Sequence, residues 1–264
     1  MHAINGGFFR FGRCIMVQRY DNRKGRGLRL LCSLVAGAWI VATWVAALLM
    51  LRDMGAFWSV VGWAFLGGKG LMVLATAVAM ARHPAPAWRV FAGRYRFSSV
   101  RNDGSGWLRA LLQATTRFGW ELPQLLVGYQ LAQWRVAAGR VKFVATLDGV
   151  TFVVGRHRDP HTCAGMSTGC FVHVWAPHRR TLHEGSDFED YARRGADNMM
   201  RHEYGHTVDS QLWGWLYLPV VGVPSVVSQA LALARGARHR HETFWPERRA
   251  DRLGRKFFYG KGER

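Results

Sequence analysis

The chain has 264 residues, with 36 Lys and Arg against 17 Asp and Glu and a formal net charge of +19. Its length suits one domain with a real core plus a membrane anchor, and argues against many independent units; the basic excess does not by itself choose among nucleic acid, an anionic membrane surface and topology signals. The four cysteines, Cys14, Cys32, Cys163 and Cys170, include no C-x-x-C pair, which argues against a thiolate zinc site or a disulfide framework and fits a reducing compartment.

Residues 1–29 are basic, carrying Arg10, Arg13, Arg19, Arg23, Lys24, Arg26 and Arg29. Residues 30–51 follow with 22 uncharged positions rich in Leu, Val, Ala and Trp, the length a helix needs to cross a hydrocarbon core. A cleaved signal peptide fits less well, because the apolar run is too long and starts too late. After Arg52 and Asp53, residues 54–81 are apolar again except for Lys69, within Gly67, Gly68, Lys69 and Gly70. A lysine inside a span is costly unless it snorkels, faces a polar partner or marks a break at the glycines, and a broken or shallow helix is the expectation. A phosphate-binding loop is excluded, since Trp63 occupies its first glycine position and Gly70 its Ser or Thr position.

Arg82, Arg89, Arg94, Arg96 and Arg101 follow the second run. Basic residues on both flanks predict a hairpin over 30–81 with both ends, and everything after residue 81, on the cytoplasmic side. Residues 83–86, with two prolines, read as a linker. The stretch 107–138 reads as one helix kinked at Pro123, lying on the membrane or buried in a core. Residues 141–154 read as a β-hairpin turning at Asp148 and Gly149, and 170–175 as a further strand behind Ser167, Thr168 and Gly169, together a small sheet. Ser186 and Glu189 have capping-box spacing for a short helix ended by Gly195, with the next helix opening near Asp197.

That next helix contains His202, Glu203, Tyr204, Gly205 and His206, an H-E-x-x-H motif. Four helical residues advance about 400° and about 6 Å, so both imidazoles return to one face and can chelate one ion. Zn2+ accepts two imidazoles and a carboxylate while keeping a fourth position for water, and Glu203 is placed to take a proton from that water as general base. The expected third ligand is Glu247, 41 residues after His206. Asp251, four residues on, shares its helix face and can orient a ligand imidazole. Glu242, His239 and His241 are rivals: Glu242 lacks an acidic partner four residues later, and the histidines sit in a very basic run expected to be exposed.

The pairing of H-E-x-x-H with a later E-x-x-x-D resembles the gluzincin metallopeptidases. The resemblance implies a zincin-like fold, Zn2+ on His202, His206 and Glu247, catalysis through Glu203, and a peptide or protein substrate. It covers these motifs and not the whole chain. The wider context, with W-E-L-P-Q at 120–124, L-Y-L-P at 216–219 and F-W-P-E-R-R-A-D at 244–251, looks like a group of uncharacterised bacterial membrane proteins, which implies an inner or cytoplasmic membrane location but no substrate.

Residues 212–234 are uncharged and carry Pro219 and Pro224. They read either as a broken membrane segment or as two buried helices joined by a proline turn, with Ser225 as a helix cap in either case. Among His157, His161, His173, His178 and His183, one is a candidate to stabilise an oxyanion. The tail places Arg248, Arg249, Arg252, Arg255 and Lys256 beside Phe257, Phe258 and Tyr259, a composition suited to anionic headgroups.

The expected architecture is α+β: a basic segment 1–29, a transmembrane hairpin 30–81, a linker and packing or membrane-associated helix 82–140, and a zincin-like metallopeptidase domain 141–264 with a small sheet and an active-site helix. The expected partners are a peptide or protein substrate and the lipid membrane, with nucleic acid not expected. Two alternatives stand beside peptide hydrolysis. One is an inactive zinc-binding or scaffold membrane protein; the other is a basic membrane protein binding nucleic acid or anionic lipid, whose binding would be strongly salt-dependent and indifferent to Glu203.

Overall fold

The computed structural model describes residues 26–53, 55–97, 107–156, 164–176, 198–235 and 241–259. The expected helix at Ser186 to Gly195, the basic residues before Arg26, and His157, His161, His178, His183 and His239 lie outside the described residues.

The apolar runs form two helices, α1 (Arg26–Asp53) and α2 (Gly55–Arg82), folded back on each other after a turn in which Gly55 has φ 79°. A Cβ on Gly62 would lie 2.9 Å from the carbonyl of Ala47, so the hairpin closes tightly because that residue has no side chain. By length and composition α2 is the one described helix suited to crossing a membrane, and the corresponding apolar stretch of α1 is Ile40–Arg52. The expected break at Lys69 is absent. α2 runs through it, and the buried Lys69 donates to Thr43 Oγ1 at 2.9 Å and lies 4.5 Å from the Trp44 ring centroid, so α1 supplies the polar partner that lets the helix continue.

The expected linker is also a helix, α3 (Pro84–Gly93), because its proline sits in the first turn, where a missing N–H costs nothing. Residues 107–138 hold two helices rather than one kinked one, α4 (Trp107–Arg117) and α5 (Leu122–Ala137). Pro123 lies in the first turn of α5 and opens that helix. α5 is a core helix, with Leu125, Tyr129, Ala132 and Val136 buried.

The sheet is four-stranded in the order β1-β2-β4-β3: β1 (Val141–Leu147), β2 (Val150–Arg156), β3 (Ala164–Thr168) and β4 (Phe171–Ala176). The β1–β2 turn has φ 47° at Asp148 and 80° at Gly149, as the two-residue hairpin pattern requires. β2 and β4 pair in parallel while both hairpins are antiparallel, which leaves β3 beside β4 as an outer strand. Side-chain alternation splits the core. Val144, Val153 and Phe171 pack with α3 and α5, whereas Phe143, Phe152, Val172 and Val174 pack with Met200 and Tyr204 of α6 (Asn198–Trp213). The sheet is thus covered on both faces. The first core also includes Ala79 of α2, so packing runs continuously across residue 140.

Beyond α6 the chain makes a 3-10 turn (Gly214–Leu216), a π turn (Leu218–Gly222), α7 (Val223–Arg235), a 3-10 turn (His241–Thr243) and α8 (Trp245–Tyr259). The segments Met199–Leu216 and Leu218–Ala232 bend by 119°, a break common to both expected readings of residues 212–234. The face of α7 that carries Val223, Val226 and Val227 is exposed.

α6 and α8 meet at glycines. A Cβ on Gly205 would lie 1.9 Å from the Ala250 carbonyl, and one on Gly254 would lie 2.1 Å from the Arg201 carbonyl. Because backbone cannot yield as a side-chain tip can, Gly205→Ala is expected to destabilise the fold by about 3 kcal/mol or more, the upper end of overpacking costs. The check is a lowered thermal unfolding midpoint against wild type in the same detergent.

Candidate metal centre

The face of α6 that carries His202 and His206 is oriented by contacts on several sides. Tyr204, inside the motif, donates from its hydroxyl to Asp148 Oδ2 at 3.1 Å, and Arg109 of α4 bonds both groups, pinning α6 to the β1–β2 turn. The W-E-L-P-Q stretch holds the other end. Gln124 Nε2 donates to the Gly214 carbonyl, in the turn just past α6, at 2.7 Å, and Trp120 Nε1 donates to the Gln211 carbonyl in the last turn of α6 at 3.1 Å, where a helix C-terminus leaves carbonyls without intrahelical partners. Glu121, fully buried, accepts from Thr116 Oγ1 at 2.9 Å and Ser210 Oγ at 3.2 Å. Burial pushes its carboxyl pKa up against the opposing charge of Arg117.

His202, His206 and Glu247 each offer a ligand atom, and these atoms lie within 4.8 Å of one another. Glu247 Oε2 is 2.9 Å from His202 Nε2 and 3.3 Å from His206 Nε2. On the far side of the first ring, His202 Nδ1 is 3.0 Å from Asp251 Oδ1, the carboxylate–histidine pairing that fixes a ligand tautomer. His206 Nδ1 is buried with no hydrogen-bond partner among the described residues. Two imidazole nitrogens and one carboxylate oxygen, largely buried and within 4.8 Å of one another, form a donor set of the kind Zn2+ takes.

Glu203 is buried beside them, beneath β3. Ser167 Oγ lies 2.5 Å from Glu203 Oε2 and 2.8 Å from the Glu203 carbonyl oxygen. A Cβ on Gly165 would lie 2.4 Å from Glu203 Oε1, so β3 seats the carboxylate by a glycine at one position and a hydroxyl two residues later. Ser167 and Gly165 escape a reading for motifs because Ser-Thr-Gly looks like a turn. The period-two Gly165, Ser167 pattern on one strand face is the signal that could have found them.

Three further residues depart from expectation. Ser225 is not a helix cap; its hydroxyl donates to Glu247 Oε1 at 2.6 Å, holding the carboxylate from the side away from the imidazoles. His241 is not exposed: its side chain is 20 % accessible, against 21 % for His202, and its Nε2 lies 3.6 Å from Glu247 Oε2. His173 is on the sheet face opposite α6, its Nδ1 3.2 Å from Arg135 Nη1. Burial and the Arg135 charge lower its pKa to about 3, so it is a core imidazole and no candidate for an oxyanion at this centre. Of the rival ligands, Glu242 is exposed.

Without metal, proton and ion compete for the same nitrogens. Burial disfavours charge on His202, yet hydrogen bonds to Glu247 and Asp251 and the nearby Glu203 charge outweigh it and raise its pKa to about 9. Burial would raise Glu247 too, but hydrogen bonds from His202, His206 and Ser225 hold its carboxyl well below the usual range. The raised imidazole stabilises the metal-free fold fully below the unfolded histidine pKa of about 6.5, and that contribution is lost as pH rises through about 9. An ion that takes His202 Nε2 at pH 7 would have to displace the His202 proton. Calorimetry in buffers of differing ionisation enthalpy is expected to find about one proton released per ion, with affinity rising about tenfold per pH unit up to about pH 9.

Asp251 gives a graded test of the same arrangement. Asp251→Asn keeps the shape but removes the charge facing His202 Nδ1, and is expected to weaken zinc about 10- to 100-fold, read by chelator competition.

Comparison with protein-family models, curated proteins and solved structures gives no match, so the reading of this centre rests on the chain's own residues.

Proposed function

We propose that this chain is a membrane-anchored zinc-dependent peptidase of zincin type, kin to the gluzincins, in which His202, His206 and Glu247 hold Zn2+ and Glu203 acts as general base. The observation that carries the reading is the convergence of His202 and His206 Nε2 on one oxygen of Glu247, with the Glu203 carboxylate buried alongside. A bound zinc supplies Lewis acidity, lowering the pKa of water and polarising a peptide carbonyl.

The chain's own groups do the rest. Asp251 orients His202 and Ser225 orients Glu247, so neither ligand must reorganise when charge develops. Glu203 accepts the water's proton and returns it to the leaving amine, while Ser167 holds the carboxylate during both transfers. The buried setting keeps bulk water from competing for that proton.

The hairpin α1–α2 is proposed as the anchor, supported by the length and apolarity of α2 and by the basic flanks that favour cytoplasmic ends and a cytoplasmic centre. A second reading, zinc binding without turnover, is favoured by the 2.5 Å contact that engages Glu203 Oε2 with Ser167. Purified full-length protein separates the two. Casein turnover that depends on added zinc supports the peptidase, whereas one zinc per chain with no turnover on any protein or peptide substrate supports the second reading.

A further inference from the structure

Three imidazoles, not two, face Glu247. Its Oε2 lies 2.9 Å from His202 Nε2, 3.3 Å from His206 Nε2 and 3.6 Å from His241 Nε2. Ligand atoms around a tetrahedral zinc at ordinary bond lengths are about 3.4 Å apart, and the three separations from Glu247 Oε2 straddle that spacing; His202, His206 and Glu247 form the mutually close set, within 4.8 Å of one another, and His241 approaches it from the Glu247 side.

His241 is also mounted as a ligand is. Its Nδ1 is 3.0 Å from Ser228 Oγ, leaving Nε2 as the nitrogen aimed at the centre, just as the Nδ1 of His202 is taken by Asp251. Ser225 and Ser228 stand three residues apart on α7, so one helix face holds both Glu247 and His241. The opposite, apolar face of α7 is turned outward.

We propose that His241 is a fourth protein ligand, giving a three-histidine, one-carboxylate zinc site closed in its resting state. The proposal rests on the metal reading above and adds to it. Four protein donors saturate a tetrahedral zinc, whereas catalytic sites keep one position open. Water therefore enters the sphere of this site only when His241 leaves it, and the short turn His241–Thr243 between α7 and α8 is the element that must move.

The test uses full-length protein in detergent. X-ray absorption on zinc-loaded wild type is expected to fit three imidazoles per ion, a measurement that needs no variant. Co2+-loaded wild type is expected to show four-coordinate visible bands indifferent to azide. His241→Ala is expected to bind zinc at least 10-fold more weakly, to shift the Co2+ bands with azide, and to regain the wild-type spectrum when free imidazole is added. Two imidazoles per ion, or Co2+ bands and zinc affinity unchanged within twofold in His241→Ala, would overturn the fourth ligand while leaving the metal site standing. Metal uptake that survives His202→Ala unchanged, or no uptake by wild type, would overturn both.

Discussion

Glu247→Ala is expected to abolish stoichiometric zinc binding. Losing a residue that merely orients a ligand costs about 10- to 100-fold in metal affinity, and Glu247 is the oxygen on which the site converges, so a loss beyond about 100-fold is expected. The change also strips His202 Nε2 and Ser225 Oγ of their acceptor inside the fold, and an imidazole left beside Asp251 and Glu203 loses the largest single contribution to its raised pKa. The metal-free variant should therefore release less than one proton on any residual zinc uptake. Elemental analysis of protein purified without chelator checks the first result and calorimetry the second. A variant that retained zinc at wild-type affinity would show that Glu247 is not a ligand.

Glu203→Gln is the counterpart, expected to keep the metal and lose turnover. The Glu203 carboxylate is seated against Gly165 and Ser167 of β3, so an amide of the same shape can retain the Ser167 contact while being unable to take a proton. General-base catalysis is worth about 10²- to 10⁴-fold, and kcat is expected to fall in that range with zinc stoichiometry unchanged. Should Glu203→Gln turn over casein at the wild-type rate, peptide hydrolysis at this centre would not depend on Glu203. Loss of zinc in the same variant would instead make Glu203 part of the metal-binding set.

Several elements were legible because their signals are local. The Asp148–Gly149 turn needs two residues at positive φ, which few dipeptides other than this kind supply cheaply, and it occurs where expected. The helix carrying His202 and His206 starts at Asn198, one residue from the expected opening. The prolines misled in each direction. Pro84 and Pro86 suggested a linker and Pro123 a kink, yet Pro84 and Pro123 stand in first helical turns, where a sequence reading cannot tell an opening from an interruption. Lys69 was expected to break α2 because its partner Thr43 lies 26 residues away on another helix, a pairing no local window contains.

The same division runs through the candidate centre. Sequence by itself determined that His202 and His206 share one helix face, and that Glu247 and Asp251 share another, because spacing of four residues fixes geometry wherever the backbone is helical. Only the tertiary structure decided that the two faces meet, through the close contact of Gly205 with Ala250 and of Gly254 with Arg201. It alone brought Ser167, Ser225 and His241 to Glu203 and Glu247 from three other elements. Those approaches are set by how helices and strands pack across separations of 6 to 36 residues, and packing depends on shapes on both sides of a contact, which spacing along one chain segment does not encode.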